Sequence, residues 1–461
     1  MTNILDPSVF LKIRLNIKLI FACLICTVGI LGLPNGISLI FPAFNYIATL
    51  MLIASFLYAM AFPEYRFSKR TIILLVAISG VMIWSLMSLV YATDPFFGLR
   101  IYSSALFKVM LFITLIILIQ TQEIFFAVIR VIFYFGVYFS LTGVLLTYLI
   151  VFKNLPSSDF IGDVSLSKSM SYDQNLYYYS GLGFVRASTS LLDLVFPRLQ
   201  SFFIEPGYFS FFLEGSLFSS LVYLNLVKTR FRKRFVITGI SLQLLALLFS
   251  FSFAGIVSVI VGYFFYYAIS RQKSYWQSSL VWLRALLLWG GLALFILYLI
   301  NSTLFIGLYN SLIADHFTQE KGLSSADERK IAFDTGWKLF LKNPVIGVGF
   351  NQVRVVSGGM GTNNSFLTVA AETGAIGLFF YALFMMGIGY VIGGIISAVK
   401  FLDINLLRAG AGLVAAIIAQ TFHFLFSDTN WSFHYWIMLA MLCSYYQLIK
   451  LSPVNPAFYS S

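Results

Sequence analysis

Apolar positions fill this chain in runs of membrane-spanning length, and polar positions are mostly confined to short breaks between them. Runs lie near 17–34, 38–62, 71–92, 101–119, 124–152, 202–227, 235–252, 254–270, 280–303, 365–398, 406–427 and 431–449. Each approaches the roughly 20 residues that a hydrocarbon core requires. The pattern predicts an all-α polytopic membrane helix bundle of about 12 transmembrane helices, with residues 1–461 as a single integral membrane domain. Only Ser250, Ser252 and Gly255 mark a hairpin within 235–270. The 365–398 run is long enough to tilt or to begin as a surface helix.

Two breaks are long, 153–201 and 304–364, and both are expected as outer loops. In the second, Ser325 followed three residues later by Glu328 reads as a capping box, and Asn343 with Pro344 supplies a stop. Periodicity between them predicts an amphipathic helix of about 17 residues. On its wheel Arg329, Phe333, Trp337 and Phe340 share one face, with Asp334, Lys338 and Lys342 opposite. Such a helix should lie along the membrane surface, apolar face down. Arg329 then either faces a cavity in the bundle, or snorkels beside Trp337 or pairs with an acidic neighbour. The two glycines of VIGVGF (345–350) read as a turn rather than a phosphate cradle.

Composition sharpens the class. Residues are 59% hydrophobic and only 10% charged, with mean hydropathy +0.89, against about 25% charged in soluble domains. The net charge of +12 comes from short cationic clusters between apolar runs, a topology signal and not a nucleic-acid stripe. Arg66, Lys69 and Arg70 share one loop, Lys228, Arg230, Arg232, Lys233 and Arg234 another, and Arg271, Lys273 and Lys400 fall in two more. The alternate short loops 35–37, 93–99 and 428–430 carry no Lys or Arg. The positive-inside rule therefore puts both termini in the cytoplasm and both long loops outside. Lys12, Arg14 and Lys18 precede the first run, read as an uncleaved helix. Cys23, Cys26 and Cys443 lie inside apolar runs and read as packing residues, because the CxxC pair has no partner ligands for zinc.

The run ERKIAFDTGWKLFLKNPVIGVGFNQ (328–352) followed by NNSFLTVAAETGAIGL (363–378) resembles the O-antigen ligase and O-antigen polymerase superfamily. The family pattern has an arginine opening an outer-loop helix, a proline–glycine turn, a His-Asn-x-x-Leu motif and then Glu-x-Gly-x-x-Gly. These correspond to Arg329, to Pro344 with Gly347 and Gly349, to Asn363-Asn364-Ser365-Phe366-Leu367, and to Glu372-Thr373-Gly374 with Gly377. RLQSFFIEPG (198–207) is similar to the arginine-then-Glu-Pro entry of polysaccharide polymerases. The resemblance covers mainly 198–260 and 325–380. Two departures point from ligase towards polymerase: Asn363 stands where ligases carry a histidine implicated in acceptor activation, and SFSFAG (250–255) stands where they tend to carry Ser-Arg-Gly.

The resemblance implies transfer of sugars carried on polyprenyl pyrophosphate, without nucleotide, metal or other cofactor. Such chemistry needs cations for the departing pyrophosphate, a task suited to the planar arginine fork, and a group that orients the attacking hydroxyl. Arg198 and Arg329 are the first candidates, with Arg354 third and Arg100 and Lys108 behind them; for each the alternative is a structural ion pair. Glu205 is either a hydroxyl-orienting base or a salt-bridge partner of Arg198. Glu214, roughly 14 Å further along the same helix, is expected to have a buried partner or a protonated helix contact. Arg130 reads as snorkelling. His423 and Asp428 are further candidates, against a structural reading for a lone histidine among phenylalanines. Asn363 and Asn364 are candidate sugar-hydroxyl ligands, as is the run Tyr177, Tyr178 and Tyr179, which reads equally as interface belt.

The expected activity is therefore a repeat-unit polymerase in the bacterial cytoplasmic (inner) membrane, acting at its periplasmic face. Its partners would be the lipid-linked oligosaccharide, the bilayer and a chain-length regulator protein. A ligase passing finished polymer to an acceptor lipid, and a flippase for the same lipid, remain as alternatives. A flippase would favour broken helices at the midplane and deep charges in both halves of the bundle.

Overall fold

A computed structural model describes residues 7–31, 43–61, 67–153, 177–180, 183–186, 198–199, 201, 203, 206–270, 325–359, 361–398, 402, 404–429 and 431–451. Every predicted apolar run within them is a helix; the 280–303 run and residues 304–324 lie outside. The helices are α1 (Pro7–Leu31), α2 (Ala43–Met60), α3 (Lys69–Met87), α4 (Pro95–Leu118), α5 (Gln122–Lys153), α6 (Pro206–Leu226), α7 (Arg230–Phe249) and α8 (Phe253–Ser270). They continue with the loop helix α9 (Ser325–Lys342), the short α10 (Val353–Val356), then α11 (Ser365–Ala398), α12 (Ile404–His423) and α13 (Phe433–Leu451). Among the described residues, seven helices are long and apolar enough to cross a membrane. The molecule is an all-α polytopic membrane bundle.

The core forms where small residues let backbones approach. The α12 stretch Ala409–Ala416 is fully buried and packs on α6 and α8. Gly412 meets Val222 of α6, and Gly262 of α8 meets Phe218 of α6 and the Ala415 carbonyl. Helix α6 is buried almost all round, and its serines turn inward to their own backbone: Ser219 Oγ donates to Gly215 O at 2.8 Å and Ser220 Oγ to Ser216 O at 2.7 Å. In the α7–α8 hairpin, Thr229 caps α7 and Ser252 Oγ accepts from Gly255 N at 3.3 Å.

Cations collect at one end of the bundle. Arg70 at the start of α3 lies over Tyr390 of α11, 4.1 Å from the ring centre, and Arg408 at the start of α12 reaches Asn225 of α6 at 3.4 Å. Lys18 of α1 donates to Gln120 after α4 at 2.7 Å. Exposed Arg230, Arg232, Lys233 and Arg234 open α7 at the same end.

The long 365–398 run is interrupted by a break. At Gly374 the backbone turns to φ 67° and ψ −166°, a region that essentially only glycine occupies. Five main-chain groups of α11 at the break are satisfied by the loop after α9 and by one indole. Val348 N donates to Ala371 O (2.9 Å), Gly349 N to Glu372 O (2.8 Å) and Trp84 Nε1 to Thr373 O (2.8 Å). Ala375 N donates to Pro344 O (2.8 Å) and Ile376 N to Val345 O (3.3 Å). The loop thus fills the break with hydrogen bonds that helix continuity would otherwise make. Contact is too close for side chains: a Cβ on Gly374 would lie 2.2 Å from Val345 O, and one on Gly347 2.4 Å from the Glu372 carbonyl. The glycines of VIGVGF therefore form a turn, with Gly347 at φ 76° and Gly349 at φ 105°.

The 153–201 segment holds a small sheet that the apolar pattern did not signal. Strands β1 (Tyr177–Ser180), β2 (Gly183–Arg186) and β3 (Arg198–Leu199) pair antiparallel in that order. Leu199 is buried against Gly143 of α5, and Ser201 Oγ lies 3.2 Å from Thr142 Oγ1, which fixes β3 at that end of α5.

Helix α9 begins at Ser325, and it docks on the protein through a side that the sequence reading did not single out. Ala332 and Gly336 are buried and Arg329 is half-buried beside them, whereas Phe333, Trp337 and Leu341 are exposed. The physical reason is the small-residue contact: Gly336 meets Thr362 Cγ2 and Leu367, so α9 docks on α11 there. The aromatic stripe is left free to lie in the bilayer interface.

Gly374→Ala should lower stability by more than about 3 kcal/mol, because it combines a disallowed dihedral with a clash against backbone. Gly358→Ala, at φ 70° but with open space around it, should cost only about 1–2 kcal/mol. Thermal melts of the purified proteins check the difference; equal melting temperatures would contradict this account of the break.

Candidate functional site

The end of the bundle carrying α9 gathers polar groups around the N-terminus of α11. Asn364 caps that helix, its Oδ1 accepting from Leu367 N at 2.9 Å while its Nδ2 donates to Leu425 O at 3.1 Å. Ser365 N donates to Phe424 O (2.8 Å) and Ser365 Oγ to Ser427 O (2.6 Å), so α11 is tied to the turn that follows α12. Asp428 in that turn accepts from Thr368 Oγ1 at 2.6 Å and Thr362 Oγ1 at 3.3 Å. Its other oxygen and the half-buried Arg354 guanidinium flank Gly361: a Cβ there would lie 3.1 Å from Asp428 Oδ2 and 3.3 Å from Arg354 Nε.

Arg354 sits on a rigid mount. Glu372 accepts from the backbone N–H groups of Asn351 and Val353, capping α10, and the charges of Arg354 and Asp428 both act on that carboxyl. Gln352 bridges to the α3–α4 turn, with Asp94 N donating to its Oε1 (2.7 Å) and its Nε2 donating to Asp94 O (2.9 Å). Phe350 N donates to Ser88 Oγ at 2.9 Å, and Asp94 caps α4 through Phe97 N at 3.0 Å.

Arg329 lies two turns along α9 from Gly336, about 10 Å at 1.5 Å per residue, and its charge acts on the His423 imidazole. His423 ends α12 and is 1% exposed; its Nδ1 lies 2.5 Å from Oε1 of fully buried Glu214 on α6. Phe211 closes the imidazole edge-on, with ring centres 5.3 Å apart. Beside this pair, Gln420, His434, Ser216 and Phe212 line an internal cavity with room for about one water molecule. Among the described residues neither ring nitrogen of buried His434 has a hydrogen-bond partner, and the Phe212 ring centre lies 4.8 Å from that of the imidazole.

The structure thus brings together Arg354, Asn363, Asn364 and Asp428 around the α11 N-terminus, next to the α12 end that carries His423, while Arg329 lies further along α9 from its docking point. Asn363 is exposed at φ 52°, whereas each end of the Asn364 amide makes one hydrogen bond in the cap. Lys108 is buried within α4, donating to Ser104 Oγ at 3.0 Å with Phe433 5.2 Å away, and Arg100 is exposed near the start of that helix. Neither joins the α11 cluster through any contact of its side chain described above. The Arg198 backbone pairs with Arg186 in the sheet; its side chain and Glu205 lie outside the described residues.

Residues 238–382 match the family model described as O-antigen ligase. The match, under a third of the chain, supports the O-antigen ligase/polymerase superfamily. A search of curated proteins returned no match. The matched segment runs from α7 through α9 and α10 past the break in α11, so Arg329, Arg354, Asn363 and Glu372 fall inside the O-antigen ligase match, and Arg198, Glu214, His423 and Asp428 fall outside it.

Within the matched segment the Glu-x-Gly motif has a legible structural task. Glu372 caps α10 and Gly374 makes the break, so both shape the mount of Arg354. Sequence alone signalled the motif but not this role. The Glu214–His423 contact joins residues 209 apart; a buried partner was expected for Glu214, but the local pattern did not single out His423 as that partner.

Glu372→Ala should lower stability by about 2–4 kcal/mol, because two backbone N–H groups lose their acceptor. Glu372→Gln, which retains one acceptor oxygen, should cost about half as much. Melting temperatures in detergent check this, and a wild-type value for Glu372→Ala would contradict the capping role.

Proposed function

We propose that this protein polymerises oligosaccharide repeat units carried on polyprenyl pyrophosphate, at the outer face of the cytoplasmic membrane. The family match supports the coarser class, a membrane glycosyltransferase of the O-antigen ligase/polymerase type. The observation that supports the finer reading is half-buried Arg354 beside Asp428 at the α11 N-terminus, with half-buried Arg329 on the helix that docks there through Gly336.

A hydroxyl of one lipid-linked chain attacks the anomeric carbon of another. A new C–O bond forms, the bond from that carbon to the phosphate oxygen breaks, and the pyrophosphate leaves on its polyprenyl carrier. Arg329 and Arg354 hold the charge that develops there, with Arg198 as a third cation supplied from β3. Glu205 orients the attacking hydroxyl, and the proton it loses is carried off by the leaving pyrophosphate or by solvent. Asn363 offers hydrogen bonds to sugar hydroxyls from its exposed position, but it supplies no base. The exposed stripe of Phe333, Trp337 and Leu341 beds α9 in the interface, where the carrier lipid arrives. A chain-length regulator protein belongs to this reading as a partner.

The ligase reading keeps one specific support, the description of the matched family itself. Asn363, in the place of a ligase's histidine, counts against it. A strain lacking the protein separates the two: loss of a polymerase leaves single repeat units on the surface lipid, and loss of a ligase leaves long chains on the carrier.

Arg329→Ala and Arg198→Ala, produced at normal level in the membrane, should each reduce long-chain polymer by about 10²-fold or more. Arg329→Lys should retain part of the activity, since the charge remains without the fork. Gel analysis of surface polysaccharide from complemented cells reads the outcome. Undiminished long chains in the Arg→Ala strains would show that these arginines do not hold the pyrophosphate.

A further inference from the structure

We propose that the basic end of the bundle carries a site for one anionic glycerophospholipid, its phosphate held between Arg130 of α5 and Arg232 of α7. The site lies at the end opposite to α9 and does not depend on the polymerase reading.

Helices α5 and α7 run side by side in the same direction, and their contacts repeat in register. Gly239 lets them close on each other: a Cβ there would lie 2.7 Å from Val137 Cγ2. One turn back, the rings of Phe133 and Tyr134 lie 5.8 and 6.4 Å from that of Phe235. A further turn back, the same two stripes bring Arg130 and Arg232 to one level at the end of the seam. Tyr223 of α6 closes the third side, its ring 5.2 Å from that of Phe133, and the charges of both arginines act on its hydroxyl.

Among the described residues no carboxylate pairs with either arginine. Arg130 Nε donates to Phe126 O of its own helix at 3.3 Å, and the Arg232 side chain makes no hydrogen bond. Glu123, the one acidic residue of α5, lies two turns along from Arg130, about 10 Å. Two like charges closing one helix contact repel each other, and a phosphate between them replaces that repulsion with charge-assisted hydrogen bonds.

The surroundings select a lipid phosphate over a free one. Phe231 is 81% exposed beside Arg232, and Phe235 46%. From Arg130 outward, α5 presents an exposed apolar stripe of Tyr134, Tyr138, Leu141 and Leu145, about 22 Å long at 1.5 Å per residue. Cations at the interface with such a stripe behind them match a headgroup and the acyl chain lying along the helix. The positive-inside expectation makes this the cytoplasmic leaflet.

Native mass spectrometry of the full-length protein tests the site, by titration with phosphatidylglycerol and with phosphatidylcholine of the same acyl chains. Phosphatidylglycerol adducts should form at about tenfold lower concentration, and Arg130→Gln with Arg232→Gln should abolish that preference. Arg230→Gln with Arg234→Gln removes equal charge from the exposed α7 stripe that continues through Thr238 and Ser241, and should weaken binding far less. Equal retention of the two lipids, or equal loss in the two double variants, would mean diffuse attraction to the basic end and overturn the site. Competition by soluble glycerol 3-phosphate would overturn the lipid assignment. If the Arg130/Arg232 double variant does not fold, the single variants decide: each should weaken binding by about fivefold, and unchanged binding in both contradicts the proposal.

Discussion

At Gly374 the helix α11 breaks, and the main-chain groups exposed there would be costly inside a bilayer unless something paired them. The loop from Pro344 to Gly349 does so, donating to Ala371 and Glu372 and accepting from Ala375 and Ile376. Much of the site end follows from this joint. The loop fixes where α9 ends, and its continuation through Gln352 locks to the α3–α4 turn. Glu372, one turn-half before the break, caps α10 and so sets the backbone that carries Arg354.

The bundle separates its charges along its length. Arg70, Arg408 and the Arg230–Arg234 cluster occupy the end opposite to α9, where they stack on tyrosines or stand exposed. At the α9 end two arginines, Arg329 and Arg354, are half-buried, the second beside Asp428. Half-buried arginines beside a sealed apolar core are suited to a polyanionic headgroup whose lipid tail remains in the bilayer. The broken helix also bears on the transporter alternative, since broken helices are a feature of transporters. Here the break lies near the start of α11 and is filled by protein backbone, and it opens onto no polar pathway among the described residues.

Helix positions were legible because apolar runs of spanning length have few other solutions, and the hairpin at Ser250–Ser252 was marked by its serines and nearby Gly255. Arg329 and Arg354 could be singled out as cations in a polar loop. What was not legible was contact at a distance. The face by which α9 docks on α11 was not singled out, because Gly336 and Ala332, small enough for close helix approach, leave no apolar stripe to read. The bond from Asn364 to Leu425, the use of Glu372 as an acceptor for α10 and that of Glu214 as the partner of His423 all depend on chain segments apart in sequence. The sheet in 153–201 escaped notice because its strands are two to four residues long, too short for periodicity to register.

The central claim is that this chain alone joins lipid-linked repeat units through an arginine-held pyrophosphate. Purified protein in lipid nanodiscs, supplied with polyprenyl-pyrophosphate-linked repeat units and no nucleotide, tests it directly. The account predicts a ladder of products longer by whole repeat units, lost in Arg329→Ala. Consumption of no substrate by well-folded wild-type protein, or movement of intact lipid-linked units across a bilayer in place of polymer, would contradict it.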